Sequence, residues 1–279
     1  MKKNAKNLFN LNNQNIIITG GAGYLGSEFS SMLSKVGAMP IVLDINSKSI
    51  NLLKKKFKKK RQKGLFFLVD LNNESKVEAT IDLIIKKYRK IDCLINAAGF
   101  TGDQMAETNS DFFNRFEKSD FKLWQKSLNG NLSGAFLVTK FVAKYMLLRK
   151  KGSIINIASD VGIISPDHRI YEANKKFNYK GVNFNTPISY AVAKSGIISM
   201  TRYLATLWAT KGIRVNCISP AGVYKKHDKK FVEQLSQRIP LGRMAKRHEF
   251  NGAIIYLCSN ASSFVTGHNL VIDGGRTIW

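Results

Sequence analysis

The sequence lacks any apolar run that could cross a membrane. A transmembrane helix requires roughly 20 consecutive apolar residues, and no stretch of the 279 residues approaches that length. The first 15 residues are polar, and no apolar run precedes a small-residue cleavage site there, so they do not resemble a secretory signal. We therefore expect a cytoplasmic protein with no membrane partner.

Cysteine is equally scarce. The three cysteines, Cys93, Cys217 and Cys258, are far apart, and each lies in an apolar run. This pattern predicts buried free thiols in a reducing compartment rather than a disulfide framework. No pair of cysteines has the spacing of metal ligands, and neither do the four histidines, so we expect no metal.

Acidic residues are few. The chain has 19 Asp and Glu and 44 Lys and Arg, which gives a formal net charge of +25. Such an excess can mark a nucleic-acid or membrane partner. However, the basic residues are spread along the chain, apart from a dense run at 54–61 in a predicted helix. We interpret the charge as a solvated basic surface. The alternatives are a field that attracts an anionic substrate, an acidic carrier protein or nucleic acid.

Short apolar runs alternate with helical patterns along the chain. The runs lie at 16–18, 41–43, 65–69, 94–95, 154–157, 214–218 and 270–272. The helical patterns between them include 24–36, 48–63, 74–88, 120–149 and 189–210, while 100–118 is irregular. This alternation predicts an α/β fold, a Rossmann-type doubly wound parallel sheet of about seven strands. We expect a polar extension over 1–14 and one domain over 15–279.

A glycine-rich turn from Thr19 to Gly26 lies directly between the first predicted strand and the first predicted helix. Glycines let the backbone approach a diphosphate, and the helix N-terminus supplies free N–H groups. Asp44 closes the second strand, where a carboxylate accepts hydrogen bonds from adenosine ribose hydroxyls and repels a 2′-phosphate. The sequence therefore favours NAD(H), although basic residues led by Lys48 leave NADP(H) possible.

Two further strands end in residues suited to the same ligand. Asp70 follows the third apolar run, and the fourth ends in Asn96-Ala97-Ala98-Gly99. All these strand ends should meet at the carboxyl edge of the sheet, where open α/β sheets bind ligands. The small residues at 97–99 would leave room for a flat ring.

A Tyr and a Lys stand four residues apart in a predicted helix, at Tyr190 and Lys194. This spacing puts both side chains on one face. A nearby positive charge stabilises phenolate and lowers the pKa of a tyrosine, which can then exchange a proton with an alcohol or ketone. By itself, the pair occurs often by chance.

Taken together, these motifs resemble those of the short-chain dehydrogenase/reductase family from about Asn15 to the C-terminus. The resemblance rests on the glycine turn, Asp70, Asn96-Ala97-Ala98-Gly99, Asn131, Asn156-Ile157-Ala158-Ser159, Tyr190 with Lys194, Arg214-Val215-Asn216 before Ser219-Pro220, and Asp273-Gly274-Gly275. It implies a nicotinamide-dependent oxidoreductase that moves a hydride to or from a secondary alcohol or ketone. It also implies a homodimer or homotetramer.

The resemblance implies a role for each matching residue. Tyr190 would be the acid/base, Lys194 would hold the nicotinamide ribose and lower the Tyr190 pKa, and Ser159 would bond the substrate oxygen. Asn131 would position a water that relays protons. The implied cofactor-binding residues are Gly20, Gly23, Tyr24, Leu25, Gly26, Asp44, Asp70, Leu71, Asn96, Ala97, Ala98, Gly99, Tyr190, Lys194, Pro220 and Val223.

The sequence departs from the family pattern in two places. After Pro220, the hydroxyl that often touches the cofactor phosphate is absent, and Tyr224 and Lys225 stand there. Ser159 and Tyr190 are 31 positions apart (190 − 159), where the family usually has about a dozen. The insertion, at about 165–187, contains His168, Arg169, Tyr171, Glu172, Lys175, Lys176, Phe177, Tyr179 and Lys180. Long loops near catalytic residues are often functional. We hypothesise that this one folds over a polar, anionic substrate.

Three functions remain open from the sequence. The insertion and the basic charge favour an oxidoreductase acting on a sugar or sugar phosphate, and the inserted form resembles enzymes of bacterial surface-sugar pathways of the sialic- or legionaminic-acid type. A 3-oxoacyl-acyl-carrier-protein reductase is the alternative, since its carrier is acidic. A non-catalytic Rossmann protein that binds nucleic acid through the basic helix is a distant third.

Overall fold

The computed structural model describes residues 5–172, 178–179, 182–183 and 185–279. Its strands are β1 (Asn15–Thr19), β2 (Met39–Asp44), β3 (Leu65–Leu68), β4 (Cys93–Asn96), β5 (Gly152–Ile157), β6 (Asn178–Tyr179), β7 (Val182–Asn183), β8 (Ile213–Pro220) and β9 (Asn269–Ile272). Its helices are α1 (Ala5–Leu8), α2 (Tyr24–Lys35), α3 (Ser47–Lys59), α4 (Glu74–Tyr88), α5 (Gly102–Thr108), α6 (Phe121–Leu128), α7 (Gly134–Arg149), α8 (Arg169–Glu172), α9 (Ile188–Trp208), α10 (Lys229–Ser236) and α11 (Asn251–Cys258).

The main sheet has seven parallel strands in the order β3-β2-β1-β4-β5-β8-β9, and β6 and β7 form a separate hairpin. The chain order reverses direction between β1 and β4, which opens a crevice at the carboxyl ends of these strands. The predicted doubly wound Rossmann-type fold in one domain is therefore confirmed.

Alternate residues of each central strand pack on opposite faces of the sheet. One core cluster contains Ile17, Leu94 and Ile154, packed under α4 and α7. The other contains Ile95 and Ile155, packed under α2 and α11. Both faces are apolar because helices cover both sides of a parallel sheet, which explains why the strands read as continuous apolar runs.

The structure corrects two details of the predicted secondary structure. The pattern at 120–149 is not one helix, because a π-helical segment, Asn129–Ser133, separates α6 from α7. The stretch at 100–118 is not irregular, since it holds α5 and two 3-10 turns, Ser110–Phe113 and Phe116–Lys118. The π turn coincides with Asn131, and such turns occur often at functional sites.

The inserted segment packs against α10. Ile170 of α8 is buried in a cluster with Leu235, Ile239 and Met244. The Asp167 carboxylate, just before α8, lies 2.6 Å from the Arg238 guanidinium. This apolar cluster, the ion pair and a hydrogen bond from the Asn185 amide to the Phe113 carbonyl attach the described part of the insertion to the main domain.

Several sequence expectations bear on the core and the surface. The three cysteines are free and buried, as predicted. No helix in the described ranges is long and apolar enough to span a bilayer. Leu11 is also fully buried, so the segment before β1 contributes a side chain to the core. The domain boundaries at 14 and 15 stay a prediction.

Truncating a central core residue should be costly. Ile154 is fully buried in β5, an interior strand of the sheet, and Ile154→Ala should lower the free energy of unfolding by about 2–5 kcal/mol through lost burial and a cavity. Leu52→Ala, at a site 61% exposed on α3, should change it by less than about 0.5 kcal/mol. Denaturant unfolding measures both, and equal effects would contradict this assignment of the core.

Candidate active site

A continuous cleft of about 1280 Å³ runs along the carboxyl edge of the sheet. One end is formed by the glycine turn and Asp44, and the other by Ser159, Tyr190 and Lys194. The cleft therefore brings together residues that lie on six separate strand ends, loops and helices. Of the residues predicted from the sequence to bind cofactor or act in catalysis, every one except Asn96 lines it.

The glycine turn packs directly against the loop after β4. Gly20 has φ +59°, a conformation that favours glycine, and a Cβ built there would lie 2.7 Å from the Ala98 Cα atom. Ala98 N in turn donates to the Thr19 hydroxyl at 3.1 Å. This close approach leaves the N-terminus of α2 open to the cleft, as a diphosphate requires.

Asp44 lies at the end of β2 and is largely buried. Its carboxylate accepts hydrogen bonds from the backbone N–H of Ala22 at 3.0 Å and of Asn46 at 2.9 Å. Each oxygen retains a second lone pair for a further donor. The carboxylate is thus fixed against the glycine turn and remains able to accept from ribose hydroxyls.

Asn96 has a different position from the one predicted, because its side chain does not reach the cleft. Its side-chain amide donates to the Thr139 hydroxyl at 2.9 Å and to the side-chain oxygen Oδ1 of Asn156 at 2.8 Å. The Asn156 amide continues this chain to Thr201 at 2.9 Å. These buried bonds join β4 and β5 to α7 and α9, so the Asn96 side chain helps to hold these elements together beside the cleft.

Lys194 and Tyr190 lie together at the floor of the cleft. The Lys194 Nζ atom donates to the Ile157 carbonyl at 2.9 Å and is 5.6 Å from the centre of the Tyr190 ring. Ser159 begins the turn after β5, and its side chain lies near enough to Tyr190 to lower the pKa of that phenol in part. The three side chains therefore meet at one point, as the sequence predicted.

Asn131 lies beside this group, but its side chain is engaged by the protein. The amide donates to the carbonyls of Phe100 and Ser127, both at 3.0 Å, and its oxygen accepts from Phe100 N at 3.0 Å. A Cβ built on Gly99 would lie 3.3 Å from this oxygen and 3.9 Å from Lys194 Nζ. Glycine thus keeps open the space between Asn131 and Lys194.

The electrostatics of the pair differ from the sequence expectation. We expected the Lys194 ammonium to lower the pKa of Tyr190. Instead, burial raises the pKa of Tyr190 to about 12, and the nearby Asp160 carboxylate adds to this effect. Burial also lowers the pKa of Lys194 to about 8. Desolvation, which disfavours both charged forms, is the largest cause of both shifts.

Sequence reasoning missed an ion pair beside the catalytic group. The Asp160 carboxylate accepts from the Ser159 hydroxyl at 2.8 Å and pairs with the Arg276 guanidinium. Both charged side chains are almost fully buried. The adjacency of Asp160 to Ser159, and of Arg276 to the Asp273-Gly274-Gly275 motif, was the only signal available in the sequence.

The insertion reaches the cleft through Ile170 and Tyr171. The Tyr171 ring stacks on Phe231 of α10 at 5.8 Å, and its hydroxyl lies 2.8 Å from the Thr186 hydroxyl. Burial raises the pKa of Tyr171 to about 12. Lys175, Lys176, Phe177 and Lys180, which the sequence also singled out, lie outside the described residues.

The loop after β8 closes onto the glycine turn. The Tyr24 hydroxyl donates to the Tyr224 carbonyl at 2.5 Å. The charged groups of Lys225 and Arg247 lie 5.7 Å and 5.5 Å from the centre of the Tyr24 ring. Both basic side chains line the cleft near the N-terminus of α2, where a diphosphate would lie.

Comparison with known proteins gives consistent matches over nearly the whole chain. A family model described as enoyl-(acyl carrier protein) reductase matches residues 22–277. A 3-oxoacyl-(acyl-carrier-protein) reductase of Thermotoga maritima is 30% identical over 266 residues, covering 94% of this chain and 97% of that protein. An NAD-dependent glycerol dehydrogenase of Listeria innocua is 30% identical over 275 residues, covering 97% and 96%. The crystal structure of a short chain dehydrogenase from Leptospira borgpetersenii with bound NAD+ has a TM-score of 0.82 and 32% identity, covering 96% and 94%.

Proposed function

The chain belongs to the short-chain dehydrogenase/reductase family and is an NAD(P)-dependent oxidoreductase acting on alcohols or ketones, and we propose that its substrate is a polar, anionic sugar or sugar phosphate of surface-glycan biosynthesis. The observation that carries the proposal is the meeting of Ser159, Tyr190 and Lys194 at the end of a dinucleotide-sized cleft. The insertion lines the same cleft with Pro166, Ile170, Tyr171, Thr186 and Pro187, and the hydroxyls of Tyr171 and Thr186 support a polar substrate.

The cleft fits a nicotinamide dinucleotide in shape and chemistry. The open N-terminus of α2 suits the diphosphate, Asp44 suits the adenosine ribose, and the space beside Gly99 suits a flat ring. Lys194 would hold the nicotinamide ribose. When bound, the dinucleotide supplies or accepts the hydride.

The proton chemistry falls to Tyr190. Because burial raises its pKa to about 12, the phenol is protonated at neutral pH and can donate its proton to a ketone oxygen as the carbon is reduced. In the reverse direction the phenolate takes the proton of the alcohol. After reduction, Lys194, whose pKa burial lowers to about 8, gives a proton to the phenolate and regains one from water on the Asn131 side of the cleft.

The central test is a substrate screen. Keto and hydroxy sugars, their phosphates and nucleotide conjugates are assayed by the absorbance of NADH. Tyr190→Phe should reduce kcat by about 100- to 10,000-fold because the acid/base is removed. Alcohol oxidation by the unaltered protein should accelerate from pH 7 to pH 9, since it requires the phenolate of a group whose pKa is raised. A Tyr190→Phe variant with full activity would refute the proposal.

A 3-oxoacyl-(acyl-carrier-protein) reductase is the second candidate. The Thermotoga maritima relative carries that name, and the net charge of +25 suits an acidic carrier protein. The same screen therefore includes a carrier-bound 3-oxoacyl thioester. Turnover of this thioester far above that of every sugar would select this candidate.

We further propose that NAD(H) is preferred over NADP(H) because of the Asp44 charge. Asp44→Asn keeps an oxygen to accept from Ala22 N but removes the repulsion of a 2′-phosphate. The ratio of NADPH to NADH affinity, measured by fluorescence titration, should rise by about tenfold. Asp82→Asn removes one negative charge elsewhere and should leave the ratio unchanged. An unchanged ratio in Asp44→Asn would show that another residue determines the cofactor preference.

Tyr171 is proposed to contact the substrate. Tyr171→Ala should raise the substrate KM by about tenfold through the lost contact, while the NADH dissociation constant stays within about twofold. Tyr171→Phe retains the stack on Phe231 and removes only the hydroxyl, so the contribution of the hydroxyl to KM is measured separately. Tyr203→Ala, at an exposed site on α9, is the control and should leave KM unaltered. If Tyr171→Ala weakens NADH binding and leaves KM unchanged, the insertion does not serve the substrate.

Self-association is also proposed. Large apolar side chains are exposed on α7 and α9 and at the C-terminus, among them Phe136, Leu207 and Trp279. Exposed apolar surface of this kind marks contact sites. It supports the homodimer or homotetramer that the family resemblance implies.

A further inference from the structure

We infer that Asp160 and Arg276 are positioning residues for the reaction, in which Asp160 orients the Ser159 hydroxyl and Arg276 compensates the carboxylate charge beside Tyr190. This inference rests on the proposed acid/base role of Tyr190. It goes beyond that role because it assigns a catalytic purpose to a charge pair that no motif predicted. The pair joins the end of β5 to the C-terminal segment, 116 residues further along the chain.

The burial of the pair is the first reason. The side chains of Asp160 and Arg276 are 4% and 7% exposed. Removing two charges from water costs free energy that their mutual attraction often fails to recover, so a buried ion pair is poorly explained by stability. Its place beside the reacting groups explains it better, because charges near an active site tune the groups that react.

The geometry of Asp160 is the second reason. One carboxylate oxygen accepts from the Ser159 hydroxyl at 2.8 Å and from Val161 N at 2.8 Å. The other oxygen pairs with Arg276. A serine hydroxyl has one proton to donate, so its donation to Asp160 turns the oxygen lone pairs of Ser159 toward the cleft. Ser159 is thereby held as an acceptor for Tyr190 or for a substrate hydroxyl.

The charge balance around Tyr190 is the third reason. The Asp160 carboxylate raises the pKa of Tyr190. At the neighbouring Tyr171, Asp160 raises the pKa of the phenol and Arg276 lowers it. The other titratable side chains that line the cleft are Tyr24, Asp44, Asp70, Glu107, Lys126, Tyr171, Lys194, Lys225, His227, Asp228 and Arg247. Without Arg276, the Asp160 carboxylate would act on the phenol uncompensated.

A spectroscopic titration tests the pair without turnover. The tyrosinate absorbance of each variant is compared with that of the same variant carrying Tyr190→Phe, so that only Tyr190 is observed. Asp160→Asn leaves the guanidinium uncompensated and should move the Tyr190 ionisation to lower pH by about one unit or more. The double variant Asp160→Asn/Arg276→Met removes both charges and should return the midpoint to within about 0.3 units of the original.

The matched control is Arg243→Met, which breaks the exposed Arg243–Glu249 pair and should leave the titration unchanged. An unmoved midpoint in Asp160→Asn overturns the inference. So does an equal shift in the single and double variants, because the charge of Arg276 would then have no effect. The double variant leaves no unpaired buried charge, so it should fold even if a single variant is unstable, and its titration can then be compared with that of the unaltered protein.

Steady-state kinetics on a substrate from the screen provide the second readout. Arg276→Met should lower kcat by about 100-fold through a misplaced Ser159, with KM changed by less than about threefold. Arg276→Lys retains the charge and should recover most of kcat. Equal losses in both variants, with an unchanged pH profile, would indicate a purely structural role. A shifted titration in a protein that oxidises or reduces nothing would instead uphold the charge pair and refute the proposed function.

Discussion

The hydrogen bond from the Lys194 ammonium nitrogen to the Ile157 carbonyl joins helix α9 to the end of strand β5. Ser159 lies two residues beyond that carbonyl, and Tyr190 lies one helical turn before the lysine. This contact therefore helps to set the distance between the Ser159 and Tyr190 hydroxyls. Burial makes this hydrogen bond important, because a buried ammonium without an acceptor would lose its bonds to water and gain none from the protein. The buried chain from Asn96 through Asn156 to Thr201 reinforces the same junction.

Burial also decides the proton chemistry. A tyrosine and a lysine that approach each other in water would favour phenolate and ammonium, but in this cleft desolvation favours both neutral forms. The resulting phenol is a competent proton donor at neutral pH, whereas its use as a base requires a higher pH. The Asp160–Arg276 pair introduces two opposite charges into this dry region. Because the two charges nearly cancel, the loss of either one should change the protonation of the neighbouring groups. This is expected of a site where the environment of a residue sets its reactivity.

Much of this arrangement was predictable because it is local. Strand–turn–helix order placed the glycine turn, Asp44 and the small residues at 97–99 at one sheet edge, where all of them line the cleft. The spacing of Tyr190 and Lys194 placed both on one helical face. The buried bonds of the Asn96 side chain were not predicted, because a motif does not say which way a side chain at a strand end points. The π turn at Asn131 was missed because helical periodicity is insensitive to one extra residue.

The sequence by itself determined the doubly wound sheet and the gathering of the predicted site residues along one cleft, since both follow from short-range pattern and the fixed direction of parallel strands. Only the tertiary structure decided the direction of the pKa shifts, the packing of the insertion on α10 and the pairing of Asp160 with Arg276. Those features depend on burial and on contacts between distant segments. Neither the solvent exposure of a side chain nor its partner more than a hundred residues away is encoded in any local pattern.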